Sequence, residues 1–392
     1  MKIQNSRRFK IAHIITRLEL GGAQQNTLYC CAHHDRKKFD VILISGKGGY
    51  LDEKARKIKN LKAYFLPELK HPIHPWWDLA AVLKIASILK REKVDIVHTH
   101  SSKAGILGRW AAKKAGVPAI LHTVHGWGFF PGQFFLTQWL YQTLERWAAG
   151  FTQVLITVSG ENKREGLAAG IGREGQYRGI HSGIDPKQYQ LSLVAARKAR
   201  KVLGTEGRPT VLVLSNFKRQ KSPLDVVEVA RELSRQLPSV LFLWAGDGPL
   251  RGEVEKLIGD SGLEANFELL GWREDVAELL AASDVLLLTS LHEGLPRVVL
   301  QTMAAGKPVV ATAVNGTPEA VEEGVTGFLH PPHATSGMAT SLLKLLRNPG
   351  LRRKMGEAGR KSLRGSFLIA EMLRQIEKVY ETCGLNLQKR EK

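Results

Sequence analysis

The chain has 392 residues, 43% of them hydrophobic, and a net charge of +20; it is long enough for two α/β domains rather than one core, and it lacks an apolar run of the roughly 18 residues that a bilayer-spanning helix needs. Three cysteines, two of them the neighbours Cys30 and Cys31, exclude a disulfide framework, and no cysteine pair has zinc-binding spacing. The basic stretch Arg7, Arg8 and Lys10 precedes only about six apolar-rich residues and no small-residue cleavage site, so it reads as no signal peptide and leaves a soluble or membrane-surface protein of a reducing compartment.

Short β-rich runs alternate with helical periodicity from end to end, the pattern of parallel sheets covered by helices. Strands are predicted at Lys10 to Thr16, Phe39 to Ser45, Ala63 to Leu66, Asp95 to Thr99, Ala119 to Val124 and Val154 to Val158. Gly183, Pro186 and the charged run Ala195 to Gly207 then interrupt the pattern, which places a joint between Asp185 and Pro209. It restarts with Thr210 to Ser215, Val240 to Ala245, Phe267 to Leu270, Val285 to Thr289, Val309 to Thr312 and Gly327 to Leu329. A last helix, Phe367 to Thr382, carries Leu368, Met372, Leu373, Ile376, Val379 and Tyr380 at helical spacing and needs a surface on which to bury them. The expected organisation is a domain over residues 1–185, a second over 186–366, and a terminal helix over 367–392 that packs back on the first.

The charge is uneven. Residues 1–190 hold 29 Lys and Arg against 14 Asp and Glu, the remainder 28 against 23. A basic half suits nucleic acid, anionic headgroups, a polyphosphate ligand or simply a solvated cationic surface. Nucleic acid is disfavoured, because the aromatic residues gather in one apolar block and no helix-turn-helix, zinc or single-strand-binding motif is visible.

In open α/β sheets ligands lie beyond the carboxyl ends of the strands. In the first half those positions are Gly21 and Gly22, Ser45 and Gly46, His98 and His100, His125 and Gly126, and Ser159; in the second they are Asn216, Lys218 and Lys221, Gly246 and Gly248, Gly271 to Arg273, and Ser290 to Pro296. The Gly21–Gly22 turn can aim backbone N–H groups at a phosphate or be no more than a turn, and Gly246-Asp247-Gly248 has the same two readings, since it lacks a dinucleotide fingerprint. Lys218 and Lys221 can neutralise a diphosphate leaving group or stand in water. His125, at a strand end before a glycine, is placed for a hydrogen bond to a ligand hydroxyl or diphosphate; His98 and His100 are secondary candidates, with His98 turned into the sheet. Glu293-Gly294-Leu295-Pro296-Arg297 leads into a helix ending near Gly306. Pro296 suits its first turn, Gly294 permits close approach of a ligand, and the carboxylate accepts ligand hydroxyls or merely serves the helix dipole. On one continuous helix Gln301 would stand about 12 Å beyond Glu293 and within about 80° of the same face.

Glu293-Gly-Leu-Pro-Arg297, running on through Met303-Ala-Ala-Gly-Lys-Pro-Val-Val-Ala-Thr312, Gly316-Thr-Pro-Glu319 and Gly324-Val-Thr-Gly-Phe-Leu329, resembles the family 4 glycosyltransferases of GT-B fold. Gly21-Gly-Ala-Gln24, His125-Gly126, Gly183-Ile-Asp185, Ala245-Gly-Asp-Gly-Pro249 and Leu270-Gly-Trp-Arg-Glu-Asp-Val276 extend the likeness over nearly the whole chain. The resemblance implies two facing, doubly wound Rossmann-like domains with a central cleft. It places a nucleotide-sugar donor mainly on the second domain, with the base near Arg273 to Asp275, the diphosphate near Lys221, and the sugar against Glu293, Gly294, Leu295, Pro296 and Arg297, facing His125 and Gly22. His125 and Glu293 are then the catalytic pair; Gly21, Gly22, Asn216, Lys218, Lys221, Gly246, Arg273, Asp275 and Gln301 complete the donor site. It further implies transfer with retention, the leaving phosphate helping to deprotonate the acceptor, and no cofactor or metal; no Asp-x-Asp dyad is present.

Three positions depart from the family pattern, which has Glu at Gln301, Arg at Asn216 and Asn at Ser182. Gln still donates and accepts hydrogen bonds, but the missing guanidinium removes a forked cation from the diphosphate site, and Lys218 is expected to compensate. These departures leave open a weak or inactive carbohydrate-binding relative; a sugar-nucleotide epimerase of the same fold would not share the Glu293 to Gly306 pattern.

Eight of the 28 aromatic residues lie between Trp127 and Trp147, directly after His125. With His71 to Trp77 they are expected to meet a polyprenyl chain or bilayer interface, the clusters Arg36-Lys37-Lys38 and Arg56 to Lys62 facing anionic headgroups; the alternative is that they fill the core. The expected partners are thus a nucleotide sugar, a glycan or polyprenyl-linked acceptor of a bacterial surface-polysaccharide or lipid-linked oligosaccharide pathway, and an anionic membrane, with no nucleic acid. The expected location is the cytoplasm, at the inner face of the cytoplasmic membrane.

Overall fold

The computed structural model describes residues 8–70, 72–130 and 132–390, with side chains to residue 385; Arg7 and His71, named above, lie outside it. Two units separate, one ending at Ser182 and resuming at Ile369, the other spanning Gly183–Leu368. Each is a Rossmann-like, doubly wound α/β unit.

In the first unit the strands are β1 (Phe9–Arg17), β2 (Phe39–Gly46), β3 (Lys62–Leu66), β4 (Ile96–His100), β5 (Ala119–Val124), β6 (Val154–Thr157) and β7 (Tyr177–Gly179). They lie in the order β3-β2-β1-β4-β5-β6-β7, every pair parallel. The first six occupy the predicted segments to within a residue or two. The sequence reading missed β7, whose three residues Tyr-Arg-Gly form an edge with Arg178 and Gly179 exposed, so no alternation was there to read.

Strands buried on both faces send alternate side chains to opposite sides. One face gathers Ile11, Ile15, Leu43, Ile96 and Leu121, and is closed by the helix Ile369–Arg390 through Met372, Leu373, Ile376 and Tyr380. The other gathers Ala12, Ile14, Ile42, Ile44 and Val97 beneath the helices Pro75–Glu92 and Ser102–Ala115. The terminal helix starts two residues later than predicted, because Gly365–Phe367 forms a separate 3-10 turn and Leu368 bridges to Ile184.

The second unit repeats the plan with β8 (Thr210–Leu214), β9 (Leu241–Ala245), β10 (Phe267–Gly271), β11 (Val285–Leu288), β12 (Val309–Thr312) and β13 (Gly327–His330), in the order β10-β9-β8-β11-β12-β13 and again parallel. In each sheet the order reverses once, between β1 and β4 and between β8 and β11. The charged run read as an interruption is instead the helix Leu193–Val202 and its following turn; Arg197, Lys198 and Lys201 face water, Arg200 pairs with Asp284 at 2.9 Å, and Ala199 packs on Ala281 and Ala282.

One helix of the first unit is amphipathic the wrong way round. Phe135–Ala149 buries Glu145, Ala148 and Ala149 and turns out Phe135, Leu136, Trp139 and Trp147. Arg109, itself wholly buried, pairs with Glu145 and donates through Nε to the Gly105 carbonyl at 2.7 Å. A buried charge stripped of its partner costs several kcal/mol. Glu145→Ala is therefore expected to lower stability by about 3–5 kcal/mol in urea denaturation, and a loss under about 1 kcal/mol would show that this pair does not anchor the helix.

Candidate functional site

At the reversal between β8 and β11, the loops beyond the strand ends are tied together. Thr289 Oγ1 donates to the Lys221 carbonyl at 2.9 Å, Gln220 Nε2 to the His292 carbonyl at 2.8 Å, and the Leu291 N–H to the Gln220 carbonyl at 2.8 Å. This seam sets the Lys221 ammonium on Glu293 Oε1, which also accepts from Ser290 Oγ at 2.6 Å. The loop after β12 braces the same turn: Asn315, at φ +42°, accepts the Glu293 N–H at 2.9 Å, and the Gly316 N–H donates to the Gly294 carbonyl at 3.0 Å. Glu293 is held from three loops at 7% exposure, with Gly294, Leu295 and Pro296 buried after it.

The helix begins only at Arg297, with Pro296 as its N-cap rather than in its first turn. Glu293 therefore lies in the preceding turn, and no helical rotation relates it to Gln301. Gln301 is buried and donates through Nε2 to the Tyr189 hydroxyl at 2.8 Å. Lys218 is exposed and Asn216 half-buried. Gly246 has a packing reason to be glycine: at φ +151° a Cβ would stand 2.0 Å from the Ser215 carbonyl oxygen. Arg273 grips Asp275 through both nitrogens of its fork, Nε to Oδ1 at 2.7 Å, and this pairing holds the Asp275 carboxyl below its ordinary range.

In the first unit Gly22 opens the helix Gly22–His33 and Gly21 caps it in extended backbone, where a Cβ would meet only the Gln24 side chain. The more informative feature lies on the sheet face. Period-two alternation puts His98 and His100 of β4 on one side, His13 of β1 pairs with His98 in register, and His125 follows Thr123 on the same side of β5. His125 Nε2 lies 3.2 Å from His100 Nδ1, His100 Nε2 lies 3.0 Å from His13 Nδ1, and His13 Nε2 lies 3.2 Å from His34 Nε2. His34 Nδ1 ends the series 3.0 Å from Glu377 Oε1. His98 stands beside it, bonded to the Tyr380 hydroxyl and to Thr123 Oγ1. His13, His34 and Glu377 were not picked out from the sequence. The signal for His13 was a polar residue at an inward position of an otherwise aliphatic strand.

Burial holds the imidazoles of His13, His98, His100 and His122 well below their ordinary range. It lowers His34 as well, against the opposing pull of Glu377. Burial would raise Glu377, but the hydrogen bonds from His34 and the Asp35 N–H outweigh it and leave a carboxylate below its usual range. Ring nitrogens of His13, His98 and His100 come within 4.8 Å of one another. Every one of those nitrogens is engaged in the hydrogen bonds above, so the cluster is a polar network rather than an open ligand set. A small, mainly apolar cavity beside it is lined by Cys30, Ile156, Val158 and Met372 as well as by His100 and His125.

The carboxyl rim of the first sheet also carries the exposed rings. Trp127 and Phe129 are buried, whereas Trp76, Phe134, Phe135 and Trp139 are 60–77% exposed, so the aromatic block divides between core and surface. Lys103 joins their two segments to one helix terminus, pairing with Asp78 at 2.6 Å and donating to the Pro72 carbonyl, while Gly128 packs on Ser102. The basic clusters do not share this rim. Arg36 to Lys38 precede β2 at the amino edge, where the Phe9 N–H donates to the Lys38 carbonyl, and Arg56 to Lys62 precede β3 at that same edge. Cations at the carboxyl rim include Arg17, the last residue of β1, and Lys47, Lys70 and Lys103 beyond β2, β3 and β4, with Lys70 over the Trp77 ring.

The family model of glycosyltransferase family 4 matches residues 20–188, and that of glycosyl transferases group 1 matches residues 196–362. The chain is 31% identical over 394 residues to the UDP-Gal:alpha-D-GlcNAc-diphosphoundecaprenol alpha-1,3-galactosyltransferase of Escherichia coli, covering 98% of this chain and 100% of that protein. It is 29% identical over 317 residues to the N-acetyl-alpha-D-glucosaminyl L-malate synthase of Bacillus anthracis, covering 78% and 80%. Among solved structures it resembles HepE of Anabaena in complex with UDP-glucose, at a TM-score of 0.83 and 22% identity over 96% of this chain and 100% of that one. It also resembles sucrose-phosphate synthase from Thermosynechococcus elongatus, at 0.85 and 20% over 97% and 100%. These two likenesses establish the GT-B fold.

The buried imidazoles make stability depend on pH with a definite sign. Above about pH 6.5 neither folded nor unfolded chain protonates them; below it the unfolded chain takes up protons that the folded chain refuses, and stability falls. Urea denaturation between pH 8 and 5 is expected to show a level region followed by a decline, with proton uptake on unfolding of at least about four from His13, His98, His100 and His122 and a further share from His34. Constant stability from pH 7 to 5 would contradict their neutral burial.

Proposed function

We propose that this chain, which belongs to the family 4 glycosyltransferases, moves a hexose from a nucleotide diphosphate, with retention at the anomeric carbon, onto a lipid-linked or polysaccharide acceptor. The observation that carries the reading is the Lys221–Glu293 pair, held by three loops at the sheet reversal of the second unit. Here a cation suited to a diphosphate and a carboxylate suited to sugar hydroxyls satisfy each other until a ligand offers both groups at once. The name of the Escherichia coli relative, with its UDP-Gal donor and diphosphoundecaprenol acceptor, favours a uridine nucleotide and a polyprenyl diphosphate for this chain too.

In this reading the acceptor oxygen attacks the anomeric carbon on the face from which the diphosphate leaves. The carbon–oxygen bond to phosphate breaks, and the acceptor proton passes to a departing phosphate oxygen. Lys221 and Lys218 stabilise the charge that builds there, in place of a metal ion. Glu293 and His125 are assigned to the sugar, Gly294 to Arg297 to its surroundings, and Arg273 to Asp275 to the base. Gln301, whose Nε2 is engaged by Tyr189, offers its carbonyl to a ribose hydroxyl. Asn216, Gly246, Gly21 and Gly22 supply backbone and amide contacts to the phosphates. The outward rings of the Phe135–Ala149 helix and Trp76 are assigned to the polyprenyl chain or the bilayer interface, and in this reading the enzyme works at the membrane surface.

A screen of nucleotide sugars by thermal shift is expected to single out one uridine donor, whose binding at 100-fold excess over Kd adds about 2.7 kcal/mol; no shift with any donor would remove the reading. Lys218→Ala is expected to lower turnover more than tenfold, about 1.4 kcal/mol of transition-state stabilisation, and unchanged kinetics would leave the missing guanidinium at Asn216 uncompensated. Flotation with anionic liposomes is expected to carry the protein upward and to leave the triple variant Phe134→Ser, Phe135→Ser, Trp139→Ser behind; wild-type protein staying at the bottom would end the membrane assignment.

A further inference from the structure

A neutral imidazole has one N–H and one lone pair, so each hydrogen bond between two imidazoles fixes the tautomer of both. The series from His125 to His34 has three such links, and it ends on a carboxylate, which can only accept. Glu377 Oε1 accepts the Asp35 N–H at 2.9 Å and a proton from His34 Nδ1 at 3.0 Å. His34 then bears its hydrogen on Nδ1, and its Nε2 is a lone pair. That lone pair calls for an N–H on His13 Nε2, which leaves His13 Nδ1 as an acceptor. His13 Nδ1 in turn takes the N–H of His100 Nε2, and His100 Nδ1 takes the N–H of His125 Nε2. An imidazolium at any interior position would donate from both nitrogens and break the direction, and burial keeps His13, His34 and His100 neutral.

We propose that Glu377 is a positioning residue for the transfer reaction: through His34, His13 and His100 it fixes the tautomer in which His125 carries its hydrogen on Nε2 and presents Nδ1 as an acceptor. This rests on the reading of His125 as a group that meets the donor, and it chooses between the two contacts open to that residue. An acceptor nitrogen takes a hydrogen bond from a sugar hydroxyl, and it has no proton to give a phosphate oxygen. The carboxylate belongs to the terminal helix and lies three residues before Tyr380, which bonds His98 on the same sheet face. The element that closes the apolar face thus also orders its polar strip.

The test reads tautomers directly, in full-length protein labelled with ¹⁵N at histidine, by two-bond ¹H–¹⁵N correlation of the imidazoles near pH 7.5, assigned with single histidine variants. The wild type is expected to show His34 with its hydrogen on Nδ1 and His13, His100 and His125 with theirs on Nε2. Glu377→Leu removes the terminal acceptor and is expected to give mixed tautomers at His125, with kcat/KM for the nucleotide sugar down about tenfold or more. Glu377→Gln keeps an oxygen where Oε1 stands and is expected to restore the wild-type tautomers and activity to within about twofold. A wild-type His125 carrying its hydrogen on Nδ1 overturns the proposal without any variant, as does an unchanged His125 tautomer in Glu377→Leu, or a chelatable transition metal bound to His13, His98 and His100 in the purified protein. Tautomers that follow Glu377 while activity does not would uphold the ordering and instead remove His125 from the donor site.

Discussion

A polar side chain taken into a sheet face from which water is excluded has to find its hydrogen bonds inside the protein. Parallel strands impose that condition on every second residue, and in the first unit the inward residues change character along the strands. Ile96 gives way to His98 and His100 on β4, and Ala119 and Leu121 give way to Thr123 and His125 on β5. The covering helix changes in step, from Met372, Leu373 and Ile376 to Glu377 and Tyr380. The result is a polar strip crossing one face from the rim at His125 to the turn before β2, where Asp35 and His34 meet Glu377. Closed side chains on rigid strands hold such a strip more tightly than loops would.

The second unit has the same strand order and handles polarity differently. Its core stays aliphatic and aromatic, from Val211 and Val213 through Trp244 to Leu287, and the chemistry-bearing groups sit in loops beyond β8, β11 and β12. Lys221 and Glu293 are aligned by backbone bonds between those loops, and the left-handed conformation of Asn315 is maintained because its side chain caps the Glu293 N–H. One unit thus orients its candidate group from within a sheet face, the other from a lattice of turns.

This difference explains what could be read in advance. Twelve strands announced themselves by hydrophobic runs, and the Glu293 segment by local motif, because both are written in neighbouring residues; β7 was invisible because Tyr177–Gly179 is three residues long with Tyr177 alone buried, too short for a pattern. The link from His34 to Glu377 joins residues 343 apart in sequence, and nothing local marks either one. The spacing from Glu293 to Gln301 misled for the opposite reason, since it was taken along a helix that does not begin until Arg297. The basic clusters misled because charge in a sequence has no direction: Lys38 and Lys62 are at the amino edge of the sheet, where they pair with Glu381 and Glu92.

The inverted helix Phe135–Ala149 follows from the same condition of buried polarity. Arg109 lies inside because its helix packs closely on the sheet, with Gly105 against His122 and Gly108 against Thr99 and Ile14, where no larger residue fits. A guanidinium in that position requires a carboxylate, and Glu145 is the residue that supplies it. Once Glu145 faces inward, helical geometry turns the residues on the far side outward, and there the chain has Leu136, Trp139 and Trp147 rather than charges. A water-soluble surface would have been easier to make with lysine or glutamate at those positions. The buried pair fixes which face is out, and the choice of rings for that face is what points to an apolar partner.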